Sequence, residues 1–519
     1  MQTLPLERAH PAPVLVRGLA VLRTREAGVV LFILVLGLVL HAWTGRFLTP
    51  TNLANVLLNS APTAVVALGM TLVILTGGID VSVGSTLGVT AVLLGYAAAA
   101  GWHLGPLVAV GVLSGLLLGM VNGALVARAG VMPIIATLAT LSFDPTPHTG
   151  GDNAHYVLLA RSLLEGHGYT DLYDPATPPH TQYPPVFPAI IALALLAGLR
   201  PWVGIKLVVL GFSAAAVALT YLWLRRRGSA RTAFWVALVV AVSPGVLNQS
   251  HWELSDVPFW AFTMLALWGL ERARAARHAA GHAAGVAGTV LAYFTRSAGL
   301  PLALAAAGWL ALRRRWRAFA WLAVTFFPLA ALWWLRAEAH GGVSYFQQFW
   351  WVNPYAPDLG RIGPADFFAR ILENDRRYLG DHLPVLLLGL EGRLLLPFGI
   401  ALAVLATLGW AARLRRPGVA EFFLPLYAGL LLAWPPVWSG ERFLLPILPI
   451  LLANAGEALT RMARRIGPRA AHWAAPGAAC LLLAAGLPAL AAGVQIGTTC
   501  TRLYLRGEPY ACLTQEWRD

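Results

Sequence analysis

The sequence predicts an all-helical protein that crosses a membrane many times, and three observations carry that expectation. Hydrophobic residues fill 58% of the 519 positions and charged residues only 12%, with a mean hydropathy of +0.65, against roughly 25% charge in ordinary soluble domains. Apolar stretches recur from end to end, close to the ~20 residues that an α-helix needs to cross a bilayer. The 38 basic residues, set against 24 acidic ones for a net charge of +14, gather in short clusters between those stretches. Lipid cannot satisfy a backbone N–H or C=O, so each span must close its own hydrogen bonds, which a helix does singly and a barrel strand does not.

Taken in order, Arg8, Arg17, Arg23 and Arg25 precede a long apolar run with no small-residue cleavage site after it, which reads as a cytoplasmic start followed by an anchor. Spans at 27–43, 61–76, 81–100, 104–127 and 131–143 then leave residue 144 outside. Asp144 to Pro185 becomes an external loop, and 186–199 lies in the outer leaflet without crossing. Further spans follow at 203–224, 232–248, 257–271, 281–295, 298–312, 318–335, 394–411, 421–437, 443–460 and 472–496, about 15 in all. This count places Arg225 to Arg227, Arg272 to Arg277, Arg313 to Arg317, Arg413 to Arg416 and Arg461 to Arg469 on the cytoplasmic side. The basic excess therefore reads as membrane topology and not as a nucleic-acid surface. Cys500 and Cys512 share an external tail where a disulfide can persist, whereas Cys480 lies in an apolar run and reads as packing.

The texture changes near residue 143. Up to there the chain is rich in Gly, Val and Leu, and beyond it in Trp, Pro and Arg, so the expected domains are 1–143 and 144–519. In the first, Gly77, Gly78, Gly84 and Gly88 surround the isolated acid Asp80, either as a broken helix lining a cavity or as close helix packing through small residues. The run LGMTLVILTGGIDVSVGS from Leu68 to Ser85, with Asn122, Gly123 and the stretch Pro133 to Leu138, resembles the permease subunits of ribose-type sugar ABC importers. The resemblance stops at Ser142, before the segment with which such permeases dock their ATPase, so an ABC ATPase is not an expected partner.

The second part carries the chemistry. Its motifs are GGDNAHY from Gly150 to Tyr156, the stretch Leu158 to Tyr169, His180 to Pro185, Glu253 with Asp256 to Phe259, AYFTRSAGL from Ala292 to Leu300, and Glu441 to Pro449. Together, in this order, they resemble membrane glycosyltransferases of the GT-C superfamily, in particular bacterial relatives of protein mannosyltransferases and aminoarabinose transferases. The resemblance implies a GT-C-like helical bundle with external loops, in the plasma (inner) membrane. It also implies a polyprenyl-phosphate sugar as donor, a glycan, lipid or protein acceptor, and catalysis by a carboxylate in the first external loop, here Asp152.

The residue types suit that chemistry. An acceptor hydroxyl needs a base, and partial desolvation at a membrane edge is expected to raise the Asp152 pKa. Asp152 also stands where it can cap an amphipathic helix over about 153–165 whose apolar face carries Ala154, Val157, Leu158 and Leu164. A lipid phosphate calls for fixed positive charge, for which Arg296 and Arg442 are the candidates. Arg296 reads equally as a structural ion pair, and Arg442 as a snorkelling residue or a partner of Glu441. His180, Tyr183, Glu253 and Asp256 leave two readings open, a sugar pocket or a divalent-ion site. The loop Tyr345 to Trp351, with Asn353 and Tyr355, offers either sugar stacking or a belt of interface aromatics. No Walker, Rossmann or zinc-spacing motif occurs, so soluble nucleotide-sugar chemistry is not expected.

Overall fold

The structure, a computed structural model, describes residues 25–57, 101–127, 141–147, 151–199, 201–272, 279–341, 345–508 and 510–512, with nine scattered positions between 60 and 138. Gly77, Gly78, Asp80, Gly84, Gly88 and Gly150, and most of the spans at 61–76, 81–100 and 131–143, lie outside the described residues. The chain divides into two compact units, Met1–Val83 and Gly84–Asp519. In the first, α1 (Arg25–Thr44) matches the expected opening span.

The described residues of the second unit form helices joined by loops, with two isolated bridges, Thr170 to Pro179 and Trp351 to Arg361. Its helices are α2 (Leu104–Ala127), α3 (Gly151–Leu164), α4 (Val186–Leu196), α5 (Val203–Arg227), α6 (Ala230–Val242), α7 (Pro244–Gln249), α8 (Asp256–Arg272), α9 (Ala279–Thr295), α10 (Leu300–Leu312), α11 (Trp316–Ala339), α12 (Tyr345–Phe349), α13 (Pro364–Arg377), α14 (Leu383–Leu388), α15 (Leu396–Arg413), α16 (Val419–Ala433), α17 (Leu448–Ala463) and α18 (Pro468–Leu505). Among the described residues four helices, α5, α11, α15 and α18, are long and apolar enough to cross a membrane by length and composition.

Proline sets many of the boundaries. It stands in the first turn of α7, α10, α13, α14, α15, α17 and α18, where its missing N–H would have no helical partner. The stretch expected as one span at 232–248 is split between α6 and α7. Pro244 disfavours helical geometry in the residue before it, and Ser243 is extended at φ −57°, ψ 130°. The stretch 336–393, expected as loop, instead holds α12, α13, a π-helical turn (Tyr378–His382) and α14.

The core is tightest where α8 crosses α9. A Cβ on Gly269 would lie 2.5 Å from Gly285 N, and one on Gly288 would lie 2.6 Å from Ala266 N, so the two backbones touch directly. At the arginine-rich end, Arg227 is not a solvated topology charge: it is buried, 3.5 Å from Glu271 and in contact with Glu421. Trp223 Nε1 donates to Glu271 at 3.0 Å, which ties α5, α8 and α16 together. The junction residues fold into this unit as well. Thr501 Oγ1 donates to Phe143 O at 3.1 Å, Lys206 Nζ donates to Asp144 O at 2.8 Å, and Gly497 lies so close to Ser142 that a Cβ there would come within 2.5 Å of its carbonyl carbon. Cys500 and Cys512 are disulfide-bonded, as their shared tail suggested. Cys480 is exposed and does not pack inside the bundle.

Candidate active site

Asp152 occupies the first turn of α3 and Asp256 the first residue of α8, where helix N-termini favour negative charge. Arg296 lies in the turn between α9 and α10, and Arg442 in the 3-10 turn Glu441–Leu444 ahead of α17. Four segments far apart in sequence thus bring two carboxylates and two guanidiniums together. Arg296 Nη1 is 2.7 Å from Asp256 Oδ1. Arg442 Nη2 donates to Asp152 Oδ2 at 3.1 Å, and its Nη1 stands 4.0 Å from Asp256 Oδ2. Both guanidiniums lie over the Phe443 ring, 4.9 and 5.0 Å from its centroid.

Tyr183 Oη donates to the other Asp152 oxygen at 3.0 Å, so side chains from other elements hold both carboxylate oxygens. Burial pushes the Asp152 carboxyl up, but Arg442, Arg296 and the Tyr183 hydroxyl outweigh it and hold the pKa below its ordinary value. The expected upward shift is therefore corrected for the free site, because the guanidiniums win over desolvation. Val157 also departs from expectation: with Tyr156 and Ala160 it faces the core, leaving Ala154 and Leu164 exposed.

His180 does not face this cluster with a free nitrogen. Its Nε2 accepts the Tyr183 N–H at 2.7 Å, so the ring proton is on Nδ1, which bonds Asp171 at 2.7 Å. Its ring stacks on Tyr183 with centroids 5.1 Å apart. Desolvation outweighs the Asp171 charge and lowers the His180 pKa, consistent with a neutral ring. His180 thus holds Tyr183, and Tyr183 holds Asp152. Glu253 is fully buried and 3.7 Å from Lys206, in a separate pair. The four residues expected to share a sugar pocket or a divalent ion are spread over three partnerships, His180 with Tyr183, Glu253 with Lys206 and Asp256 with Arg296, and among the described residues no three His, Cys, Asp or Glu side chains gather as a metal site. Glu441 does not partner Arg442: it accepts from Gln249 Nε2 at 3.0 Å.

Sequence reading missed Tyr156 and Ser255. Tyr156 Oη and Ser255 Oγ are 2.8 Å apart, and Ser255 also takes Arg296 Nη1 at 3.3 Å. The available signal was spacing, since Tyr156 is one helical turn after Asp152 and shares its face. In the aromatic loop, Tyr345 packs on Trp434 and Trp438 at 6.0 and 6.2 Å. Arg370 on α13 fastens the loop by donating to Phe349 O and Trp351 O at 2.6 and 2.7 Å.

Comparison with known proteins divides along the chain. Residues 52–143 match the family model described as branched-chain amino acid transport system / permease component, well short of half the chain. Over 77 residues the chain is 49% identical to the autoinducer 2 import system permease protein LsrD of Klebsiella pneumoniae, covering 15% of this chain and 23% of that protein. Over 117 residues it is 40% identical to LsrC of Salmonella typhi, covering 22% and 34%. The chain thus spans about a quarter to a third of these relatives. Among solved structures it is similar to ArnT from Cupriavidus metallidurans bound to undecaprenyl phosphate, at TM-score 0.43 and 17% identity over 71% of this chain and 75% of that one. It is also similar to the archaeal oligosaccharyltransferase AglB from Archaeoglobus fulgidus in complex with an inhibitory peptide and a dolichol-phosphate, at TM-score 0.43 and 14% identity over 70% and 55%.

Proposed function

We propose that the chain is a membrane glycosyltransferase of the plasma membrane that moves a sugar from a polyprenyl-phosphate donor to an acceptor hydroxyl or amine on the outer face. In this reading residues 144–519 form the catalytic membrane domain, 1–143 a partial permease-like segment, and the N-terminus is cytoplasmic. The observation that carries it is the cluster of Asp152, Arg442, Asp256 and Arg296, a half-exposed carboxylate beside two guanidiniums. Guanidinium forks suit a phosphate, and the adjacent carboxylate suits an acceptor proton.

The step is a single displacement. The acceptor oxygen or nitrogen bonds to the anomeric carbon, the bond from that carbon to the phosphate oxygen breaks with its electron pair on the phosphate, and the acceptor proton passes to Asp152. Attack from the side opposite the phosphate inverts the anomeric centre. Tyr183 aligns the base, with His180 behind it.

The test is transfer in membranes supplied with labelled polyprenyl-phosphate sugars, comparing the intact chain with Asp152→Asn at equal expression. Loss of a positioned base costs about 10²–10⁴-fold, and a variant as active as the parent removes Asp152 from the mechanism. A transport reading draws on the match over 52–143, which reaches only part of a permease.

A further inference from the structure

Asp256 holds a buried carboxylate oxygen that no donor reaches, and the Arg442 guanidinium that stands 4.0 Å from it is engaged with Asp152. Its Oδ1 takes Arg296 at 2.7 Å, while Oδ2 is shut off from solvent and accepts no hydrogen bond. Arg442 Nη1 stands 4.0 Å from that oxygen, while Nη2 of the same fork bonds Asp152 at 3.1 Å. A buried acceptor left without a donor is costly, and a displacement of about 1 Å would bring Nη1 into hydrogen-bond range of it.

We propose that Arg442 is a two-position latch: in the free site it holds Asp152, and on entry of the donor phosphate it moves onto Asp256 Oδ2 and the phosphate, releasing Asp152 as the base. The inference rests on the glycosyltransferase reading and deepens it. Asp256 becomes a positioning residue, the anchor of Arg296 and the second resting place of Arg442.

Charge decides which contact opens. The free cluster balances two carboxylates with two guanidiniums, and a glycosyl phosphodiester brings one more negative charge, so it must draw a guanidinium away from a carboxylate. Arg296 is held by the shorter bond, by Ser255 Oγ and by a partner whose side chain is only 3% exposed. Arg442 and Asp152 have the longer bond and side chains 27% and 32% exposed. Their contact is the one that yields.

Release raises the proton affinity of Asp152 when the acceptor proton must be taken. The charged or titratable groups around Asp152 are Arg442, Arg296, Tyr183, Tyr156, the Asp256 carboxylate on the far side of Arg442 and, through the coulombic field, Tyr345. Only Arg442 both bonds Asp152 and has an empty acceptor beside it. After transfer the phosphate is a monoester with one more negative charge, Asp152 is neutral, and the total charge of the site is unchanged. A neutral Asp152 no longer draws Arg442 back, so both guanidiniums stay with the product until it leaves and Asp152 gives up its proton.

The experiment follows the Asp152 carboxyl by infrared difference spectroscopy of the full chain in detergent, the band being assigned by its loss in Asp152→Asn. Undecaprenyl phosphate is the probe. Its saturation should raise the protonation midpoint by about one to three pH units, the range set by gain or loss of an adjacent opposite charge. In Arg442→Gln the midpoint should already be high without lipid and rise less on adding it. In Asp256→Asn the lipid-induced rise should shrink. An unchanged midpoint in the parent at saturating lipid overturns the latch. An equal rise in Arg442→Gln also overturns it, since the phosphate charge alone would then account for the shift. If undecaprenyl phosphate does not bind saturably, the glycosyltransferase reading falls as well, an outcome distinct from binding without a shift.

Discussion

At the scale of single residues, the carboxyl of Asp152 is pushed up by burial and pulled down more strongly by Arg442, Arg296 and Tyr183. A depressed native pKa means that the ion pair stabilises the fold above the ordinary carboxylate value of ~3.9 and that this contribution disappears as pH falls through the native value. His180, also depressed, keeps a neutral ring and its bond from the Tyr183 N–H down to below ~6.5. The pH profile of kcat/KM for donor, which reports the free enzyme, should therefore stay flat from neutrality to about pH 6.5. It should fall first as His180 protonates and later as Asp152 does. An acid limb above that point would contradict both assignments. Asp152, Arg296 and Arg442 were legible in the sequence as residue types that the chemistry needs. Their pairing was not: Asp152 and Arg442 are separated by 290 positions, and no local pattern distinguishes Glu253, which pairs with Lys206, from Asp256, which joins the cluster.

At the scale of elements, helix starts were legible wherever proline marked them, and failures trace to physical causes. The apolar run through α6 and α7 gives no sign of the break other than Pro244. The helix α13, PADFFARILENDRR, is too charged to look like a span, yet it buries Arg370 and Asn374 as fastenings for the aromatic loop and for the end of α16. The crossing of α8 and α9 sets the height of Asp256 and Arg296, since each lies at one end of a helix in that pair. A side chain at Gly285 would meet Leu270 Cγ at 2.6 Å and its N at 2.7 Å. Gly285→Val should force the helices apart at a cost of about 1–3 kcal/mol or more. A lowered Tm together with weakened donor binding would bear this out, and a variant with unchanged Tm would mean that the crossing is loose.

At the scale of the whole molecule, the membrane class was legible from composition, and the match over 52–143 agrees with the permease-like texture read in the first part. The compact division at Val83/Gly84 was not. Texture changes near 143, but Leu141 to Asp144 lean on α18, His251 and Lys206, and such long-range packing has no local signature. The reach of α18 was underestimated for a similar reason. Its apolar stretch ends near residue 496, while the helix continues through polar residues to Leu505, close to the Cys500–Cys512 disulfide.

That helix runs about 57 Å at ~1.5 Å per residue, against a hydrocarbon layer of ~30 Å. It exceeds the thickness of the oil by nearly half its length, and the far end carries Gly497 and Thr501, against which Ser142 and Phe143 are braced. A post of fixed length planted in a sheet of variable thickness works as a depth gauge: the sheet decides how far the braced end stands above the headgroups, where a lipid phosphate resides. Catalysis should then be tuned by acyl-chain length. Reconstituted in phosphatidylcholine vesicles of stepwise increasing chain length, the protein should show a rate maximum at one thickness and a decline on either side, set by mismatch of fractions of a kcal/mol per Å.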